Sequence, residues 1–292
     1  MTDPRFVVGL GEVLWDKFSN GGKRLGGAPA NFAYHAAQFG HEGLVVSAVG
    51  RDADGDDIVA ELESHGLPYH LDRVDYPTGT VDVDLRNPDK PVYTINTKVA
   101  WSHIPLTEEL LQIAARTKAV CFGSLAQFNG ESRGSIDSFL SATRDCLKIF
   151  DINLRQRYHR DRWIRQSLHR ADVLKINDEE LAYITRKWGY KRGSERSLCR
   201  RLMKYYGLQM VILTKGVNGS YVFWKGGSSF LPTPMVDVVS AVGAGDAFTG
   251  AFIGSYLNGA PIPEAHETAV KVSAWVCEHE GAMPVYPPRP ED

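Results

Sequence analysis

The segment Val242-Gly243-Ala244-Gly245-Asp246-Ala247-Phe248-Thr249-Gly250 sets three small residues ahead of a carboxylate and an apolar helical pattern. With so little side-chain bulk, the backbone N–H groups of Gly243, Ala244 and Gly245 can approach an anion. The helix N-terminus adds unpaired donors and the positive end of its dipole. Asp246 falls in the first turn, where its carboxylate can face whatever the amides hold. A phosphate cradle beside a carboxylate suits phosphoryl transfer to an alcohol. The carboxylate accepts the hydroxyl proton while the amides stabilise charge on the moving group. A tightly packed helix start, with Asp246 favouring the dipole, accounts for the same residues.

Three further clusters could hold parts of a substrate. Leu25-Gly26-Gly27-Ala28-Pro29-Ala30-Asn31 is a glycine pair entering a helix whose first turn displays Asn31. Asn31 can donate and accept, which suits sugar hydroxyls, and Asp16 can accept from two of them. Thr214-Lys215-Gly216-Val217-Asn218-Gly219 follows a strand and reads either as a wrap around a nucleotide or as a β-turn. Asn177-Asp178-Glu179-Glu180 opens a helix. Capping by Asn177 explains it completely; the functional alternative puts Glu180 near a magnesium ion, through water. Competing motifs are missing: there is no GxxxxGK[ST], HExxH or GxSxG, and Gly9-Leu10-Gly11-Glu12-Val13-Leu14 has Leu14 where a dinucleotide fingerprint needs its third glycine.

These residues need a scaffold that brings loop ends together. Short apolar runs at Phe6–Gly11, Leu44–Val49, Ala119–Phe122, Lys148–Asp151, Val173–Ile176 and Met210–Thr214 read as buried strands. Helical patterns at Pro29–Gln38, Asp54–Ser64, Thr107–Thr117, Ser132–Cys146, Trp163–Arg170, Asp178–Thr185, Glu195–Tyr206, Ala244–Tyr256 and Pro263–His279 lie between and after them. Alternation of this kind predicts a mostly parallel sheet covered on both faces, with ligands beyond the carboxyl ends of its strands. Thr80–Leu85 and Val92–Ile95 differ: the first alternates with period two, and Asn87-Pro88-Asp89-Lys90 between them is turn chemistry. They predict a β-hairpin outside the main sheet. Pro287-Pro288-Arg289-Pro290 is expected to be a frayed end.

The chain has 292 residues, 33 Lys+Arg and 35 Asp+Glu, for a net charge of -2. That balance gives no surplus of positive charge to attract nucleic acid or a membrane surface. Cys121, Cys146, Cys199 and Cys277 form no CxxC pair and read as reduced thiols of a cytoplasmic protein. The N-terminus opens polar, with no signal-peptide pattern. The longest uncharged stretch, Ala247 to Pro263, carries Gly250, Gly254, Asn258 and Gly259 and reads as a buried helix with its terminating loop.

The order of these pieces resembles the ribokinase/PfkB family of sugar kinases along essentially the whole chain. The resemblance rests on Gly26-Gly27-x-Pro29-x-Asn31, Gly50-Arg51-Asp52-x-x-Gly55, Asp151-x-Asn153-x-Arg155, Asn177-x-x-Glu180, Thr214-x-Gly216-x-x-Gly219 and the terminal Gly-Ala-Gly-Asp. Gly11-Glu12-x-Leu14-Trp15-Asp16 and Asp151-Ile152-Asn153-Leu154-Arg155-Gln156 bring it nearest to bacterial fructokinases. The resemblance implies a three-layer α/β/α kinase domain over 1–292, with a small β-sheet lid from about 12–24 and 78–100. It implies Asp246 as catalytic base and Gly243, Ala244 and Gly245 as anion hole. Asp16, Gly27, Asn31 and Arg155 would contact the sugar; Asn177 and Glu180 would organise Mg²⁺ and phosphate; Thr214, Gly216 and Gly219 would bind nucleotide. ATP and Mg²⁺ are the implied cofactors, and the lid of relatives can form a homodimer contact. The implied reaction is phosphorylation of a primary hydroxyl, D-fructose to fructose 6-phosphate. The alternatives are 2-keto-3-deoxygluconate, ribose or a nucleoside as acceptor, or a non-catalytic sensor. Ser240 and Ala241 stand where the family carries Asp-Thr, so the charged side-chain ligand for a monovalent cation is missing and weak or absent potassium activation is expected.

Overall fold

Every second residue of the strands β1 (Phe6–Leu10), β4 (Glu42–Gly50), β8 (Thr117–Gly123), β9 (Leu147–Asp151), β10 (Val173–Asn177) and β11 (Met210–Thr214) faces the same layer of helices. The structure, a computed structural model, describes residues 5–84, 92–190 and 193–287. Val8, Leu10, Val120, Phe122, Phe150, Leu174 and Leu213 pack on one side. There they meet α3 (Glu108–Ala115), α4 (Gly130–Ala142), α5 (Asp161–Arg170), α6 (Asp178–Lys187) and α7 (Glu195–Tyr206). Val7, Ala119, Cys121, Ile149, Val173 and Ile212 pack on the other, against α1 (Ala28–Ala37), α8 (Ala244–Leu257) and α9 (Ile262–Cys277). Burial on both faces is why these strands read as continuous apolar runs.

The main sheet has nine strands, in the order β13-β12-β11-β10-β9-β8-β1-β4-β5. Neighbours from β11 to β5 (Tyr69–Val74) run parallel, while β12 (Ser220–Trp224) and β13 (Gly227–Leu231) close one edge antiparallel. From β1 the chain builds outward through β4 and β5, with α2 (Ala53–Ser64) between them, then returns to the other side at β8. The order reverses between β1 and β8, which is where an open α/β sheet leaves a crevice.

A second sheet of four strands, β3-β2-β6-β7, stands apart. It joins β2 (Leu14–Phe18) and β3 (Lys23–Gly26) to β6 (Thr80–Asp84) and β7 (Val92–Ile95). The antiparallel β6–β7 pair is the expected hairpin, although its turn residues 87–90 lie outside the described residues, as do 288–290 of the expected frayed end. Trp15 and Lys17 of β2 turn toward α2: Trp15 Nε1 donates to the Asp54 carbonyl at 2.9 Å and Lys17 Nζ to the Asp54 carboxylate at 2.6 Å. Lys23 joins the same acidic pair, Asp54 and Asp57.

The Ala247–Pro263 stretch is the buried α8 and its terminating loop, with Ala247 to Gly254 all buried. Among the described residues no helix is long and apolar enough to cross a membrane. Cys121, Cys146 and Cys199 are buried free thiols, and Cys277 is a half-buried one.

Candidate active site

The carboxyl ends of the central strands form one row. Asn177 lies opposite Thr214, Lys175 opposite Asp151, and Asp151 opposite Gly123, with Leu10 opposite Phe122 beyond them. Strand alternation puts Asp151 on the face of Ile149 and Lys175 on the face of Val173, the face that packs under α8. The N-terminus of α8 therefore rests above this row. Gly243 caps it in a left-handed conformation (φ 79°) that favours glycine, and a Cβ there would meet Ala282 Cβ at 2.5 Å. A Cβ on Gly245 would lie 3.1 Å from Lys175 Nζ, so a buried ammonium sits directly beneath the first turn.

Asp246 lies deep in protein, with an opening to solvent, and Asn31 Nδ2 donates to its Oδ2 at 2.7 Å. Burial first, and the Asp151 charge second, push its carboxyl up to about 6; the Asn31 hydrogen bond, Lys175 and Arg155 work the other way. A carboxylate poised just below neutral pH suits a general base. Lys175 is ion-paired with Asp151 at 3.3 Å. Burial disfavours its charge, but Asp151, Glu180 and Asp246 together outweigh burial and hold the ammonium above its ordinary value. Asn31 itself is buried, and its Oδ1 has no hydrogen-bond partner in the protein, an acceptor that a bound hydroxyl can satisfy.

On the β1 side three further groups converge electrostatically. Burial pushes Asp16, on β2, up to about 6, and Arg155 opposes the shift. Burial pushes Glu12, just past β1, up to about 7, again against Arg155, with Asp246 and Asp151 adding to the rise. Glu12 Oε2 is buried without a partner. Gly27 (φ 120°) brings the backbone of α1 against Glu12: a Cβ on it would sit 2.4 Å from the Glu12 carbonyl. Arg155 is exposed on the loop after β9, where Asn153 and Gln156 adopt positive φ. That loop reaches the small sheet, since the Tyr158 hydroxyl donates to the Ile95 carbonyl at 3.1 Å.

On the β11 side, Asn177 and Glu180 form a complete capping box on α6. Glu180 Oε2 accepts from Asn177 N (2.9 Å), and its Oε1 accepts from Leu154 N (2.7 Å). Glu180 thus ties the Arg155 loop to α6, a connection invisible in the sequence. Gly216 (φ 51°) and Gly219 (φ 91°) flank a short 3-10 turn after Thr214, and Thr233 fastens it by donating to Gly216 O and accepting from Gly219 N.

The structure joins Asn31 to Asp246 in the first turn of α8, which Gly243, Ala244 and Gly245 open, and brings Arg155 within electrostatic reach of Asp16, Glu12 and Asp246; Gly27 lies against Glu12, and Asn177, Glu180, Thr214, Gly216 and Gly219 lie along the neighbouring strand ends. It adds Lys175, to which sequence reasoning assigned no role. The signal was a single lysine inside the otherwise apolar strand Val173-Leu174-Lys175-Ile176. Among the described residues no cluster of three or more His, Cys, Asp or Glu could hold a metal by itself.

The family described as pfkB family carbohydrate kinase matches residues 5–289, nearly the whole chain. The chain belongs to the PfkB family of carbohydrate kinases. This sugar kinase is 28% identical to a fructokinase of Escherichia coli over 97% of this chain and 96% of the relative. It is 26% identical to an ATP-dependent 6-phosphofructokinase of Thermoanaerobacterium thermosaccharolyticum, over 95% and 89%. An uncharacterized sugar kinase of Pyrococcus horikoshii, solved in complex with ATP, superposes with a TM-score of 0.81 at 25% identity, covering 94% of this chain and 93% of its own. The ribokinase-like architecture expected from the motif order is thus the observed one.

Proposed function

We propose that this kinase transfers the γ-phosphoryl group of ATP to the primary hydroxyl of a neutral sugar, with D-fructose giving fructose 6-phosphate. The observation that carries the chemistry is the Asp246 carboxylate, raised toward neutrality and fixed by Asn31 at the N-terminus of α8. The sugar hydroxyl donates to Asp246, which takes its proton as the oxygen attacks phosphorus. The amides of Gly243, Ala244 and Gly245 hold the equatorial oxygens of the moving group, with the Lys175 ammonium behind them. The triphosphate runs from this point toward Thr214, Gly216 and Gly219. The relative solved with ATP supports that choice of donor.

Magnesium, when bound, neutralises charge on the β- and γ-phosphates. The residues present fit it: Glu180 is buried at the strand ends, and each of its oxygens accepts one backbone N–H bond and keeps a lone pair with which it would hold a magnesium-bound water. Mg²⁺ would keep several of its waters and draw its other ligands from the phosphates.

The charge around the sugar position favours a neutral acceptor. Asp16 and Glu12 both face the single Arg155 electrostatically. Two carboxyls against one guanidinium suit hydroxyl groups, which need acceptors, better than a second carboxylate or phosphate. The small sheet, closing as a lid from β2, β3, β6 and β7, keeps water from competing for the phosphoryl group. Coupled ADP detection with a panel of acceptors tests the reading. Fructose is expected to give the highest kcat/KM, ahead of 2-keto-3-deoxygluconate, ribose, nucleosides and fructose 6-phosphate. Higher kcat/KM with an acidic or phosphorylated acceptor would overturn the assignment of a neutral sugar.

A further inference from the structure

His35 is fully buried one helical turn beyond Asn31, where α1 crosses α8. Its Cβ lies 2.7 Å from where a Cβ on Gly250 would be, and Gly250 is one turn beyond Asp246. The crossing that carries His35 is therefore the next layer under the Asn31–Asp246 contact. Both ring nitrogens are engaged by the segment after α9: Nε2 with the Ala282 carbonyl and Nδ1 with the Tyr286 hydroxyl, each at 2.8 Å. A carbonyl only accepts, so Nε2 carries the proton and Nδ1 accepts from Tyr286. Burial, which lowers the imidazole to about 4, keeps the ring in this neutral form. Ala282 in turn packs against Gly243, the left-handed cap of α8, with its Cα 2.7 Å from a Cβ built there. Tyr34 fastens the same segment by donating to the Pro284 carbonyl at 2.8 Å.

We propose that His35 is a positioning residue for phosphoryl transfer: by tying Ala282 to α1 it holds Gly243 in its cap conformation and keeps the amides at the start of α8 aimed. The inference rests on the anion-hole reading above, but its structural half can be measured without turnover. The Ala247 amide, which donates to the Gly243 carbonyl at 2.8 Å, reports whether that first turn is closed.

The test compares His35→Leu, His35→Gln and Tyr286→Phe in the full chain. Amide hydrogen exchange at Ala247 is followed in the free protein, and kcat and KM with fructose and MgATP. Gln places an amide nitrogen near the position of Nε2, while Leu leaves the Ala282 carbonyl unpaired. Leu is expected to speed Ala247 exchange about tenfold and to lower kcat about 10–100-fold with little change in either KM, as misplaced catalytic groups do. Gln should restore both, and Tyr286→Phe should fall between. If Leu does not fold, Gln and Tyr286→Phe decide: slower turnover and faster exchange in Tyr286→Phe than in Gln support the role. Wild-type exchange at Ala247 in Leu, or in Tyr286→Phe where Leu does not fold, overturns it, and so does Gln as impaired as Leu. Absence of turnover in the wild type with every acceptor would instead remove the proposed function, while the exchange data would still decide the role of His35.

Discussion

In the proposed mechanism Asp246 serves as a base because its environment is unfavourable to its charge, and Lys175 limits how unfavourable. Burial and Asp151 raise the carboxyl, while Lys175 lowers it. The active form is the carboxylate, so activity rises with pH through that pKa, and the acid limb of kcat/KM is expected near pH 6. Removing the ammonium in Lys175→Met takes away a group that favours the carboxylate. The acid limb should then move to higher pH, so the variant loses more at pH 6.5 than at pH 9. Breaking a buried ion pair costs about 3–5 kcal/mol, so the profile is best recorded well below the melting temperature. An unmoved limb would show that Lys175 does not set this carboxylate. Ser240 makes a second claim at this scale. It is uncharged, and its Oγ accepts from Val242 N at 3.3 Å. Replacing choline chloride with KCl should raise turnover little if at all; a many-fold rise would contradict this. Asp246 and the small residues before it were legible because their proximity is local, within one turn. Lys175 was not, because its partners come from β9 and α8, distant in sequence.

At the scale of elements, the site depends on how closely α1 and α8 approach. Gly250 and Gly254 carry no side chain at this crossing: a Cβ on Gly250 would lie 2.8 Å from Phe32 O, and one on Gly254 2.8 Å from Phe39 Cβ. Gly250→Val is expected to cost about 1–3 kcal/mol through overpacking. It should also lower kcat by separating Asn31 from Asp246. A folded variant with unchanged kcat would argue that the crossing does not set the catalytic contact. Buried elements were readable in the sequence, where burial on both faces or amphipathic spacing left a clear pattern. Edges were harder. β5 is half-buried along its length and β13 has no buried residue, so neither carries the continuous apolar run that marked the central strands; β12 does carry one, Tyr221–Trp224, but in an antiparallel edge hairpin outside the alternation of strands with helices. The helix expected at Ser132–Cys146 is Gly130–Ala142, because Asn129 caps it earlier and the backbone turns extended at Thr143 (ψ 146°). The strands β2 and β3 follow from family resemblance and not from period, since β2 pairs parallel with the distant β6.

Across the whole molecule, one row of strand ends separates two chemistries. Thr214 and Asn177 lie toward the β11 side, Glu12 and Asp16 toward the β1 side, and Asp246 belongs to the first turn of α8, which rests above the row. The near-neutral total charge conceals this arrangement, in which several carboxyls crowd a cleft that must also receive phosphates. Such crowding works against stability. The cost of Asp246 is absent below about pH 4, grows as pH rises toward 6, and is complete above it, because the folded state holds the proton more tightly than the unfolded chain. Asp246→Asn should therefore melt a few degrees higher than wild type at pH 8, with a smaller difference at pH 5. The same variant gives the most direct measurement: fructose-dependent ADP release by wild type and by Asp246→Asn under saturating MgATP, with ATP binding measured in parallel. The expected result is a fall in kcat of about 10²–10⁴-fold with ATP binding retained. Near-wild-type turnover in Asp246→Asn would contradict the central claim that this carboxylate accepts the sugar's proton.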